Sequence, residues 1–171
     1  MSRMSLEGIG EPHFQKFVID NVFRGYRILP PGTVLRIDLV VADEMVFVEI
    51  EDTIFEIYSG TKQLLRLATI SRIYNVGLVL ITPFPRDPLK STLPIAYYFR
   101  KTSQAGLDMK ELWLVYADSR PVVLAIRLKT DKSIPLRPKC SEELLSVSTE
   151  ELQTIGKMLE EWKKKHLQSL P

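Results

Sequence analysis

Three carboxylates stand in stretches otherwise suited to a protein interior: Asp38 in "VLRIDLVVA", and Glu49 and Glu51 in "MVFVEIE". A buried carboxylate is costly unless it is paired, hydrogen-bonded or bound to a cation. If neighbouring strands bring these groups together they repel, and a divalent cation relieves the repulsion. Their hard oxygen ligands suit Mg²⁺ or Mn²⁺. Such an ion can activate a water and offset charge on a phosphodiester during its hydrolysis. The alternative is a solvated strand face on which Glu49 and Glu51 are balanced by lysine or arginine.

The elements that must position these groups are legible in the first half of the chain. Gly10-Glu11-Pro12 opens a helix, with Phe14, Phe17, Val18, Val22 and Phe23 at helical spacing and Gly25 as its stop. "GYRILPPG" follows as a short extended piece and a turn. Val34–Ala42 and Met45–Glu51 then read as two strands joined at Asp43-Glu44, a length typical of a tight hairpin. Alternation puts Val46, Val48 and Ile50 on one face, with Phe47, Glu49 and Glu51 on the other. From Ser59 to Tyr74 the period is helical, with Leu64, Leu67, Ala68 and Ile73 among the apolar positions. Val76–Phe84 is an apolar run without alternation, as in a strand covered on both faces.

The second half is harder to read. Glu111–Ala117 and Val122–Lys129 are expected to be strands joined at Asp118-Ser119-Arg120-Pro121. Ser148 to His166 is the clearest helix: Ser148 and Glu151 have capping-box spacing, and Leu152, Ile155, Leu159 and Trp162 form an apolar stripe. Lys163–Lys165 complement the dipole at its end. The expectation is an α/β fold with a core over 1–85 and a basic β-hairpin plus C-terminal helix over 86–171, packed as one domain.

Composition narrows the chemistry. With 171 residues, 45% hydrophobic and 26% charged, the chain is long enough to bury a core without disulfides. A single cysteine, Cys140, and two distant histidines, His13 and His166, argue against triad hydrolases and zinc sites. Gly-rich phosphate loops and zinc-finger spacings are absent. No apolar run is long enough to span a bilayer and the N-terminus does not read as a signal peptide, so a cytoplasmic protein is expected. Few amides and many Glu and Lys fit a thermophilic source. Arg86–Cys140 holds 11 basic and 5 acidic residues, against 8 and 10 in Met1–Pro85. That excess can attract polyanions or form a basic solvated face.

In this order and spacing the chain resembles the PD-(D/E)xK nuclease superfamily, with its restriction-endonuclease-like mixed sheet flanked by helices. It is nearest in pattern to archaeal Holliday junction resolvases and RecB-like nucleases. The resemblance covers Glu11 to Phe84: Glu11 in a first helix, Asp38 in "IDLVV", Glu49 and Glu51 in "VEIE", then "GTKQLLRLA" and "VGLVLITPF". It implies a deoxyribonuclease in which Asp38, Glu49 and the carbonyl of Ile50 bind Mg²⁺ or Mn²⁺. The motif lysine falls on Glu51, which the resemblance makes a ligand or general base. Lys62, from the following helix, would steady transition-state charge, and Gln63 matches the helix glutamine of RecB-like members. Glu11 is a further candidate.

The resemblance also implies DNA, or RNA, as partner and a homodimer, for which the stripe of Ser148–His166 offers a surface. Arg24, Arg27, Arg100 and Lys101 are the candidate nucleic-acid contacts. The last two follow Tyr97, Tyr98 and Phe99, so that aromatics stand beside cations. "GYRILPPGTVLRIDLVV" and "RLATISRIYNVGLVLIT" are also similar to archaeal tRNA-splicing endonucleases. Without their histidine, that kinship implies a noncatalytic structural subunit.

Overall fold

In the computed structural model, which describes residues 6–29, 37–41, 46–117 and 120–166, the apolar strand patterns assemble into one seven-stranded mixed sheet. Helix α1 (Glu11–Phe17) runs into a wider turn over Val18–Val22 and stops where Gly25 takes φ +84°. Strands β1 (Ile28–Leu29), β2 (Leu39–Val41) and β3 (Val46–Ile50) form an antiparallel meander. Residues 30–36 and 42–45, with the expected Asp43-Glu44 turn, lie outside the described residues, as does Asp118-Ser119. Helix α2 (Thr61–Tyr74) ends at Asn75, whose left-handed φ of 55° lets its N–H return to the Arg72 carbonyl. It carries the chain to β4 (Gly77–Pro83), parallel to β3.

The second half continues the same sheet. Helix α3 (Thr92–Gln104) leads to β5 (Lys110–Ala117), parallel to β4, and β6 (Pro121–Leu128) returns antiparallel. Strand β7 (Ser141–Val147) joins the edge parallel to β6, and α4 (Ile155–His166) closes the chain. The strand order is simply β1 to β7. On one face α1 and its turn, with Ile134 and Leu136 from the β6–β7 connection, cover Val46, Val48, Ile50, Val79 and Trp113. On the other, α2, α3 and α4 cover Phe47, Leu78, Leu80, Leu112 and Leu124. The sheet is thus the middle of three layers, and the run in β4 lacks alternation because both faces are buried.

Several expectations change. Helix α3 was not expected: Tyr97–Lys101 read at most as a strand or helix edge, because Pro94 and the aromatic run obscure the period. Strand β7 went unread because an edge strand, mostly exposed here, needs no apolar alternation. The C-terminal part is therefore a hairpin, a further parallel strand and a helix. The α-helix itself begins at Ile155, after a tighter turn over Glu151–Thr154. The capping box ahead of it is reciprocal: the Ser148 N–H donates to Glu151 Oε1 (2.9 Å), and the Glu151 N–H donates to Ser148 Oγ (3.1 Å). Leu152, Ile155, Leu159 and Trp162 pack into the chain's own core, so this stripe supplies no surface for a dimer.

Gly156 marks the closest approach of α4 to the turn over Pro88–Ser91. Its N–H donates to Thr92 Oγ1 (2.9 Å), and a Cβ there would lie 2.6 Å from the Pro88 carbonyl oxygen and 2.9 Å from that of Leu89. Backbone cannot yield as a flexible side chain can. Gly156→Ala is expected to cost about 1–3 kcal/mol in urea denaturation, as overpacking does. An unchanged midpoint would show that the turn can move away freely.

Candidate functional site

The register of β2 on β3 pairs Leu39 with Val48, which sets Asp38 opposite Glu49. The two are in contact: the Asp38 N–H donates to Glu49 Oε1 (3.4 Å), and the Ile50 N–H donates to Asp38 Oδ2 (2.8 Å). From α2, Gln63 Nε2 donates to Glu49 Oε2 (3.5 Å). Alternation keeps Glu49 on the α2 side of the sheet, beside its β4 neighbour Leu80. Glu49 is only 6% exposed, so the solvated-face alternative does not describe it.

These groups line a cavity of about 190 Å³ with Glu11, Glu51, Ile57, Gly60 and Leu64. Glu11 stands at the first position of α1 and reaches it from that helix. Gly60, the residue before α2, sits where a Cβ would be 3.9 Å from Glu51 Oε1, so Glu51 points at the start of that helix. No lysine, arginine or histidine is among the described residues that line the cavity.

The electrostatics follow from that imbalance. Burial, then the charge of Asp38, push Glu49 up to about 9. Burial, then the charges of Glu11 and Asp38, push Glu51 up to about 8. Asp38 is raised by burial against the opposing Ile50 N–H, and Glu11 is raised by burial and by Asp38. The donor set is all carboxylate oxygen with unbalanced negative charge, which fits a hard divalent cation. A complete ligand shell is not prearranged: among the described residues, no group of three or more His, Cys, Asp or Glu is placed to hold a metal ion.

No family model, curated protein or solved structure matches the chain.

The other sequence candidates are distributed differently. Ile50 does not line the cavity; its N–H orients Asp38 instead. Lys62 is exposed at the start of α2 and is not among the lining residues, because the helix turns Gln63 and Leu64 inward in its place. Arg24 and Arg27 are exposed on the loop after α1, outside the cavity lining. That loop packs against 137–140: the Lys139 N–H donates to the Val22 carbonyl (2.9 Å), and Tyr26 donates its hydroxyl proton to the Arg137 carbonyl (2.9 Å). Arg100 is exposed and Lys101 half-buried, both against Tyr97.

Four of the basic residues in Arg86–Cys140 pair with three acids of the same segment. Lys110, 1% exposed, pairs with Asp131 at 3.0 Å. Glu111 is fully buried and takes Arg137 Nη2 at 2.5 Å and the Trp113 indole N–H at 2.9 Å, with Arg127 at 3.7 Å. Lys132 pairs with Asp108 at 3.5 Å.

Sequence reasoning missed Ile57, Gly60 and the nearby acids Asp52 and Glu56, whose charges also raise Glu51. The signal was in the charge pattern: from Ile37 to Thr61 there are seven carboxylates and no lysine or arginine.

Unfolded, Glu49 and Glu51 titrate near 4.5; folded, they retain protons up to about 9 and about 8. Above pH 4.5 the native state therefore holds more protons than the unfolded one, and stability falls as pH rises until the folded groups ionise. In chelator, the melting temperature is expected to decline between about pH 5 and about pH 9, and less steeply in Glu49→Gln. An equal decline in both proteins would overturn the assignment of the slope to this pair.

Proposed function

We propose that the chain is a metal-dependent nuclease of the PD-(D/E)xK type, with Glu51 in the position of the motif lysine. The observation that carries this reading is the cavity in which Asp38, Glu49, Glu51 and Glu11 converge with no basic side chain among the described residues that line it. The element order supports it: a helix opening on Glu11, the strand pair that brings Asp38 to Glu49, a helix and then a further strand, in the order the resemblance implies.

Asp38 and Glu49 would hold Mg²⁺ or Mn²⁺, with Glu51 as a further ligand or base. Bound there, the ion would supply an activated water and charge stabilisation for phosphodiester hydrolysis. The Ile50 N–H and Gln63 orient the two carboxylates, so neither pays for ordering when substrate arrives. With a divalent cation bound beside it, Glu51 would ionise and could then accept a proton from an attacking water. DNA is the expected substrate and RNA the alternative.

The position of Lys62 favours a second reading. With Lys62 exposed outside the cavity and Glu51 replacing the motif lysine, the chain would keep the fold as a noncatalytic nucleic-acid-binding or structural subunit, as in a tRNA-splicing-endonuclease-like complex.

End-labelled duplex, single-stranded and four-way-junction DNA, with structured RNA alongside, separate the two when incubated with Mn²⁺, Mg²⁺ or chelator. Metal-dependent cutting is expected, abolished in Glu49→Ala and slowed about 10²–10⁴-fold in Glu51→Gln. Cutting retained in Glu49→Ala would sink the site assignment. Binding without cutting under every condition would favour the noncatalytic subunit.

A further inference from the structure

One turn of chain faces two ways. Over residues 57–61, Ile57 and Gly60 line the carboxylate cavity, while Tyr58 and Thr61 meet α3. The Thr61 hydroxyl lies within hydrogen-bond distance of the Ile57 carbonyl (3.2 Å) and the Tyr58 carbonyl (2.9 Å). It also shares a hydrogen bond of 2.9 Å with the Tyr97 phenol, which fixes the Tyr97 ring beside the cavity wall. Tyr58 packs edge-to-face on that ring, with centroids 5.0 Å apart, yet stays 46% exposed; Phe55, on the same short turn over Ile54–Tyr58, is 44% exposed. Arg100 and Lys101 lie over Tyr97 with their charges 5.8 and 5.5 Å from its centroid.

We propose that Phe55, Tyr58, Arg100 and Lys101 form a platform that grips an unpaired strand of nucleic acid leading into the carboxylate cavity. The proposal rests on reading that cavity as a phosphodiester site. Exposed aromatic rings offer stacking faces to unpaired bases, which a duplex keeps in its own stack, and the paired cations meet the phosphates between them. Charge complementarity favours nucleic acid over an apolar partner: Tyr97, on which Tyr58 packs, holds two cations, while Glu56 on the same turn accepts a hydrogen bond from Ser59. The hydrogen bond between Tyr97 and Thr61 keeps the platform in register with the cavity, one residue from Gly60.

The test is binding of fluorescently labelled oligothymidine and of a labelled duplex, in chelator and in the Glu49→Gln background, so that no cutting intervenes. Tyr58→Ala is expected to weaken oligothymidine binding about tenfold per stacked base lost, with duplex binding unchanged and Tyr58→Trp restoring affinity. Arg100→Gln with Lys101→Gln is expected to lower the salt dependence by about 0.7 per cation removed. Tyr58 and Arg100 are exposed and Lys101 is half-buried, and melting curves check that the variants remain folded. Oligothymidine affinity unchanged in Tyr58→Ala, or lowered equally for duplex, overturns the platform. If no protein cuts nucleic acid but Tyr58→Ala still loses single-strand binding selectively, the platform stands and the nuclease reading falls.

Discussion

Two carboxylates facing each other across an antiparallel strand pair, with no basic side chain among the described residues of their cavity wall, form the constraint around which this structure is arranged. The register that joins Leu39 to Val48 leaves Asp38 and Glu49 no choice but to meet. Ionising one makes ionising the other harder, and burial raises both. The surroundings ease this repulsion only in part, through the Ile50 N–H on Asp38 and Gln63 on Glu49. A site under that strain either keeps a proton or takes up positive charge.

The rest of the molecule shows that the imbalance is local. Lys110 is buried against Asp131, and Glu111 is buried against Arg127 and Arg137 with a further hydrogen bond from Trp113. Those charges come from opposite partners brought together by β5, β6 and the connection after β6, as a buried ion pair requires. The cavity by β3 draws acids from α1, from β3 and the residue after it, and from the segment before β2, and no base among the described residues. Perturbed groups clustered in a cavity are where functional sites concentrate. The two-faced burial of β3 and β4 holds the backbone there in place: Val46, Val48 and Ile50 anchor β3 from one side while Phe47 anchors it from the other.

Legibility from sequence follows the range of the interactions involved. Strand β3, α2 and the hairpin of β5 and β6 carry local periods, β4 an unbroken apolar run, and all fall close to their expected bounds. The capping box of Ser148 and Glu151 is local as well, and forms as its spacing requires. Helix α3 was hidden by Pro94 in its first turn and by a run of aromatics that serve different neighbours: Tyr98 and Phe99 enter the core, while Tyr97 meets Thr61 and Tyr58. Strand β7 was hidden because its outer edge and much of its surface face solvent.

What the sequence determined by itself is which residues share a face: Glu49 opposite Val48 on its strand, Gln63 and Leu64 on one side of α2, and the apolar stripe of α4. Period and side-chain direction settle those over a few residues. Only the tertiary structure decided which faces meet. It brought Asp38 to Glu49 and Glu11 to both, left Lys62 in solvent, spent the stripe of α4 inside the chain and set Tyr97 of α3 beside the turn that walls the cavity. Those meetings depend on strand register and on the crossovers between layers, set by the packing of the whole sheet rather than by any short stretch of it.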